Sequence, residues 1–187
     1  MKEMIDACIS SIDRTIPDTL EVFLTAIAKQ HPNRNQIMFI CIGTDRSTGD
    51  CFGPLVGTML REQGWPHVIG TLDSPCDAYR VEGALETAAR HEVVIAIDAC
   101  LGKAQLVGDF IAAYGPLKPG QATGANLPEA GNYSIAGIVN AISYKPYMTL
   151  QTTPLFRVME MAVTLAKAID ASWSKAAEAW DYTERRI

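Results

Sequence analysis

The 187-residue chain has no Cys-x-x-Cys spacing, and its five cysteines, Cys8, Cys41, Cys51, Cys76 and Cys100, are odd in number. Neither a disulfide framework nor a zinc ribbon fits that pattern. Reduced thiols fit better, with Cys41 a small buried hydrophobe inside an apolar run. No apolar stretch approaches the ~20 residues that span a bilayer. The first residues, MKEMIDACISSIDR, place Glu3 and Asp6 where a secretory core would be apolar. The expectation is a soluble, cytoplasmic protein with no membrane partner. Clustered positive charge is also scarce. Sixteen Lys and Arg stand against 21 Asp and Glu, for a net charge of −5, and the only dense cluster is Arg185–Arg186. Nucleic acid is therefore not an expected partner.

Motifs are missing too. There is no GxGxxG, no GxxxxGK[ST] and no GxSxG, which removes the usual signatures of dinucleotide binding, P-loop chemistry and a serine nucleophile. Only three histidines occur, His31, His67 and His91. His67 and His91 stand at the beginnings of the second and third predicted strands, at the rim opposite the strand ends, and His31 lies at a helix end before the first. A histidine-containing metal site is thus not expected, nor is a histidine base for a cysteine nucleophile. Cys51, at a helix start, is the one thiol with a reason for a depressed pKa.

What the chain does have is ordinary globular composition, 48% apolar and 20% charged, enough for a real core. Apolar spacing predicts a helix over 4–12, and Asp18 with Glu21 resembles a capping box before the helix TLEVFLTAIAKQ, which His31–Pro32 ends. Strands are predicted at 36–43, 67–72 and 92–100, with helices at 50–63 and 78–90 between them. Asp77 is a possible cap for the second helix. A further strand, 108–117, reads as an edge, followed by a polar loop over 118–132 and a strand over 133–142. Thr153–Pro154 opens a long helix to about Asp170, which the segment carrying Trp173 and Trp180 either continues or follows separately. Trp173 is expected in the core. Short loops and strands apolar on both faces predict a three-layer α/β/α sandwich on a mostly parallel five-stranded sheet, one domain over 1–187 with its core at about 18–170.

The stretch ICIGTDRSTGDCFGP, 40–54, carries the chemistry. It leaves the first strand through Gly43 and Gly49 and enters a helix at Gly53–Pro54, with Asp45 and Asp50 in the turn. Ligands of parallel α/β sheets bind beyond the carboxyl ends of strands. Asp98, in IDACLG, ends the third strand. If the second strand lies outside the first, Asp50 and Asp98 converge. Two carboxylates in one site tend to share a proton, so that one activates water while the other protonates. Each acid also has a structural reading: Asp50 as a helix cap, Asp98 as a carboxylate satisfied by loop amides, Asp45 as a turn former, Asp73 as a turn or cap residue.

At these residues the chain resembles the YyaC-type sporulation proteins, described as spore proteases. The resemblance covers roughly 18–170. It is similar, more distantly, to the germination protease of spore formers and to hydrogenase maturation proteases. That implies an α/β/α fold and a peptidase whose acids are Asp50, in an Asp-x-x-Gly-Pro turn with Gly53 and Pro54, and Asp98. It implies a protein or peptide substrate such as a spore protein, and a place in the forespore or spore core. In the maturation proteases the matching carboxylates bind metal together with a later histidine. This chain has none after His91, so no metal is expected, and a divalent metal, if any, would sit on Asp50 and Asp98. Asp45 departs from the asparagine of those relatives. Two alternatives stand beside the peptidase reading, a non-catalytic binding protein on the same fold and a metal-dependent hydrolase or maturation factor.

Overall fold

Ile37–Cys41, β1, is apolar and buried at every position. Its odd residues, Ile37, Phe39 and Cys41, join one hydrophobic cluster while Met38 and Ile40 join another. β3, Val93–Gly102, behaves alike, with Val93, Ile95 and Ile97 on the first side and Val94 and Ala96 on the second. A strand buried on both faces needs a layer on each side, which is the environment of a parallel sheet. The computed structural model describes residues 20–120 and 127–184, with side chains as far as Ala177. The predicted 4–12 helix, Asp18, Cys8, Trp180 and Arg185–Arg186 lie outside the described residues or side chains, as does part of the 118–132 loop.

The sheet has five strands in the order β2-β1-β3-β5-β4, where β2 is Val68–Ile69, β4 is Phe110–Tyr114 and β5 is Tyr133–Ala141. β1 pairs in parallel with β2 and β3, β3 in parallel with β5, and β4 runs antiparallel at the edge. One face is covered by α1, Leu20–Gln30, α2, Phe52–Glu62, and α5, Leu155–Glu184. The other carries α3, Val81–Ala88, with Leu117, Leu127 and Ala130 beside it. The three-layer, mostly parallel architecture expected from the sequence is therefore the one observed.

Several boundaries differ. β2 is two residues rather than six, because Gly70, at φ +90°, sits against the Cys41 carbonyl and the chain then turns back through reciprocal Thr71–Ser74 bonds. Asp73 consequently ends no strand. It lies in that turn, ion-paired with Arg61 at 2.8 Å and bonded by the Thr71 hydroxyl at 2.7 Å, which holds its carboxyl down at about 2. α3 starts at Val81 because the Asp77 carboxylate takes the Tyr79 amide and its carbonyl the Arg80 amide, forming a turn before the helix rather than capping it. β3 runs on to Gly102, so Asp98 lies within the strand. α5 is continuous through the Trp173 segment. Thr153 does not cap it, since its hydroxyl donates to the Thr149 carbonyl and accepts from Asn140. A short helix, α4, Pro146–Gln151, escapes periodicity because it buries only Leu150.

Trp173 is fully buried, as expected, its Nε1 donating to the His31 carbonyl at 2.9 Å, with its ring 5.3 Å from Trp65. Arg34 spans the pair, 4.5 Å over Trp65 and 2.8 Å from Asp170. His67 and His91 lie at the amino ends of β2 and β3, away from the strand ends, with ring centroids 4.4 Å apart.

Burial, and secondarily the neighbouring His67, hold His91 below the ordinary imidazole value of 6.5. The unfolded chain then binds more protons than the folded one just below 6.5, so stability is full above that value and declines as pH falls through it. Thermal melts from about pH 7.5 to 5 should show this decline, and it should be shallower in His67→Ala. An identical pH slope in that variant would remove His67 from the effect.

Candidate active site

The chain leaves β1 between β2 and β3. α2 carries it outward to β2 and α3 carries it back past β1 to β3, so the strand order reverses beside β1. Such a switch point opens a crevice at the carboxyl ends. Glycine lets the backbone enter it. Gly43, at φ +144°, donates its amide to the Cys76 carbonyl at 3.0 Å, and a side chain there would strike the Asp50 carbonyl. A side chain at Gly53 would strike the Ile42 carbonyl, and one at Gly49 would strike Leu150. Both Gly53 and Pro54 are buried in the first turn of α2. The glycines of the motif thus fasten the start of α2 onto the end of β1.

Asp50 is held in this junction by its backbone, whose carbonyl accepts the Thr44 amide at 3.2 Å. Its carboxylate does not cap the helix: the N-terminus of α2, at Cys51, has no side-chain cap. Burial pushes the Asp50 carboxyl above the ordinary 3.8. Ser47 partly offsets that shift. The Ser47 hydroxyl is buried and approaches without reaching hydrogen-bond geometry with any partner. Nothing in its residue type marked Ser47 beforehand, because a serine in a polar turn is ordinarily exposed.

Asp98 follows Ile97, whose carbonyl accepts the Ile42 amide at 2.7 Å. It stands on β3 where β1 has already ended, in register with Ala136 of β5. Its Oδ1 accepts the Ala99 amide at 2.8 Å. Ala99 packs on the first cluster, so alternation puts Asp98 and Cys100 on the α3 side. There burial raises the Cys76 thiol to about 11, opposed by Arg80 and helped by Asp77 and, least, by Asp98. Cys76, bridged to Ile42, is a neighbour that sequence reasoning missed, since only the fold brings residue 76 to the end of β1. Asp50 and Asp98 therefore both abut the Ile42–Thr44 segment, one through the α2 turn and the other through β3.

The remaining candidates separate from them. Asp45 is exposed at the tip of the turn. The neighbouring Arg46 pairs with Asp77 at 3.2 Å and ties the two rim loops together. Cys51 is not activated. Burial, Asp50 and Asp45 raise its thiol, which donates to the Thr48 carbonyl at 2.9 Å. Among the described residues no three His, Cys, Asp or Glu side chains group as metal ligands. Asp50 and Asp98 taken together are two carboxylates, short of the three protein ligands of a catalytic zinc site. No disulfide joins Cys41, Cys51, Cys76 and Cys100. Among the described residues no helix is long and apolar enough to cross a membrane.

Residues 6–168 match the model of a family described as a protein of unknown function, DUF1256. The chain belongs to the DUF1256 family. A relative, the uncharacterized protein YyaC of Bacillus subtilis (strain 168), is 38% identical over 173 residues, 90% of this chain and 84% of the relative. Among solved structures, a [NiFe] hydrogenase maturation protease, HycI of Thermococcus kodakarensis KOD1, aligns with a TM-score of 0.40 at 21% identity, over 72% of this DUF1256 chain and 92% of its own.

Two outcomes follow from the junction. A carboxyl raised by burial stabilises below 3.8 and loses that contribution as pH rises through its folded value. Asp50→Asn should therefore raise stability at neutral pH by on the order of 1 kcal/mol, roughly 2–4 °C in Tm. A lower Tm would show that the carboxylate makes a net stabilising contact. Gly53→Ala should cost more than about 2 kcal/mol in urea unfolding, because its methyl meets the Ile42 backbone, which has no room to yield. A change below about 0.5 kcal/mol would disprove that close approach.

Proposed function

We propose that this DUF1256 protein is a peptidase-like hydrolase in which Asp50 and Asp98 act on a peptide carbonyl. The observation that carries this reading is Asp50 itself. It is an acid in a glycine-fastened turn, pushed up by burial, that caps no helix and stands at the switch point beside the strand bearing Asp98. A carboxyl raised by burial at a switch point is the environment in which catalytic acids are found.

Asp50 holds the shared proton and Asp98 takes one from water. As the water oxygen bonds to the carbonyl carbon, Asp50 protonates the carbonyl oxygen and a neutral tetrahedral intermediate forms. The C–N bond then breaks, Asp98 returns its proton to the leaving amine, and Asp50 recovers one from the collapsing diol. The amides of Cys51 and Phe52 already donate to the Ser47 and Gly49 carbonyls and Pro54 has none. Help to the developing oxyanion is therefore confined to the Asp50 and Gly53 amides. A divalent metal, if one takes part, would be held by Asp50 and Asp98 and would supply Lewis-acid polarisation. The loop over 118–132, a candidate lid or substrate edge from the sequence, has its described base at the amino half of β3, where the Asn132 amide donates to the Val94 carbonyl, so no substrate contact is assigned to it. The substrate is a protein or peptide, and the resemblance to sporulation proteins points to a spore protein in the forespore or spore core.

Purified protein incubated with a mixed peptide library tests the reading by mass spectrometry. Asp98→Asn should keep its melting transition and lose cleavage by about 10²-fold or more. Full activity in that variant would sink the assignment. Absence of any turnover in the wild type would return both acids to structural roles on a binding protein.

A further inference from the structure

The carboxyl rim carries an apolar surface that the two acids do not use. Ten large apolar side chains are exposed among the described residues, and six lie within 144–159: Tyr144, Tyr147, Met148, Leu155, Phe156 and Met159. Tyr144 is 94% exposed and Phe156 72%. Single exposed apolar residues need no explanation, but six aromatic, leucine and methionine side chains exposed within sixteen consecutive residues have the composition of an interface core. The cluster borders the crevice. The Leu150 carbonyl of α4 accepts the Gly49 amide at 2.8 Å, which ties the helix bearing Tyr147 and Met148 to the Asp50 turn.

Charge indicates what covers this surface. From Ala130 to Met159 the sequence has no Asp or Glu, in a chain with 21, and it has Lys145 and Arg157. Lys103 adds a cation, exposed directly after Gly102, which pairs with Ala141. The next carboxylate in the sequence is Glu160, three residues past Arg157 on α5. We infer that this surface docks a polypeptide whose apolar anchors are flanked by carboxylates. A second copy of the chain fits less well, because an isologous contact would bring Lys145 and Arg157 of both copies together with Glu160 as the one exposed acid on that helix turn. A lipid surface also fits less well. The chain is net −5, and anionic bilayers are held by clusters of roughly four to eight cations.

The test uses a synthetic peptide with Leu and Phe anchors flanked by glutamates, and the same peptide flanked by lysines, titrated into the full-length chain by fluorescence anisotropy. The glutamate peptide should bind about tenfold tighter than the lysine peptide, and the difference should shrink in high salt. Phe156→Ser, at an exposed position and checked for an unchanged Tm, should weaken binding about tenfold or more. Lys145→Glu with Arg157→Glu should reverse the preference. Equal affinity for the two peptides, or binding untouched by Phe156→Ser, would overturn the inference. So would a micromolar dimer in sedimentation that Phe156→Ser abolishes, or cosedimentation with anionic vesicles lost in the same variant. Docking is independent of hydrolysis. Binding is read in the wild-type chain without any cleavage step, so failure of the catalytic reading leaves this outcome unchanged.

Discussion

The structure turns on the backbone of Ile42, the residue at which β1 stops. Its amide donates to Ile97 on β3, its carbonyl lies against Gly53 at the start of α2, and it bridges to Cys76, which takes the place of β2 beside the end of β1. Three parts of the chain meet at one peptide unit, and the junction tolerates no Cβ at Gly43 or Gly53. Because α2 is seated there, the Asp50 backbone is held against Gly43 and Thr44 at the carboxyl end of β1. The close approach also explains why the helix starts with Gly53–Pro54, residues unfavourable anywhere further along it.

A burden follows from this placement. A carboxylate drawn out of water prefers its proton, and the helix start beside it offers no compensating cap interaction. The neighbouring hydroxyl of Ser47 is buried without a well-formed partner. Unsatisfied polar groups and raised acids concentrate where structure serves chemistry rather than stability. The other buried polar atom without a partner among the described residues, Trp65 Nε1, lies in the core away from the rim. The Phe39, Trp65 and Trp173 rings stack edge to face through the first layer, and Arg34 closes their solvent side with an ion pair to Asp170.

The two layers are unequal, and the inequality bears on function. Three helices cover the first face, whereas α3 and the Leu117–Ala130 region cover the second. Asp98 and Cys100 face the thinner side and are only partly buried. At the rim, α4 buries a single residue and leaves tyrosine and methionine in solvent. The carboxyl rim thus brings the Asp50 turn next to a helix whose exposed side chains are mainly apolar.

Much of this was determined by the sequence alone. Runs apolar on both faces, IMFIC and VVIAI, set a buried parallel sheet, since no half-exposed strand has that composition. The Gly43, Gly49 and Gly53 spacing marked a tight strand-to-helix turn, and Asp98 stood out because an acid inside an apolar strand is costly to bury. Tertiary structure alone decided the rest. The length of β2 depended on Gly70 meeting the Cys41 backbone, a contact between residues 29 positions apart in the chain. Whether Asp50 capped α2 depended on the geometry of a turn, not on residue type. Cys76 reached Asp98, and α4 formed against the Asp50 turn, only through long-range contacts that no local periodicity encodes. Local physics specifies which segments want burial; the neighbours they acquire are set when the strands choose their order.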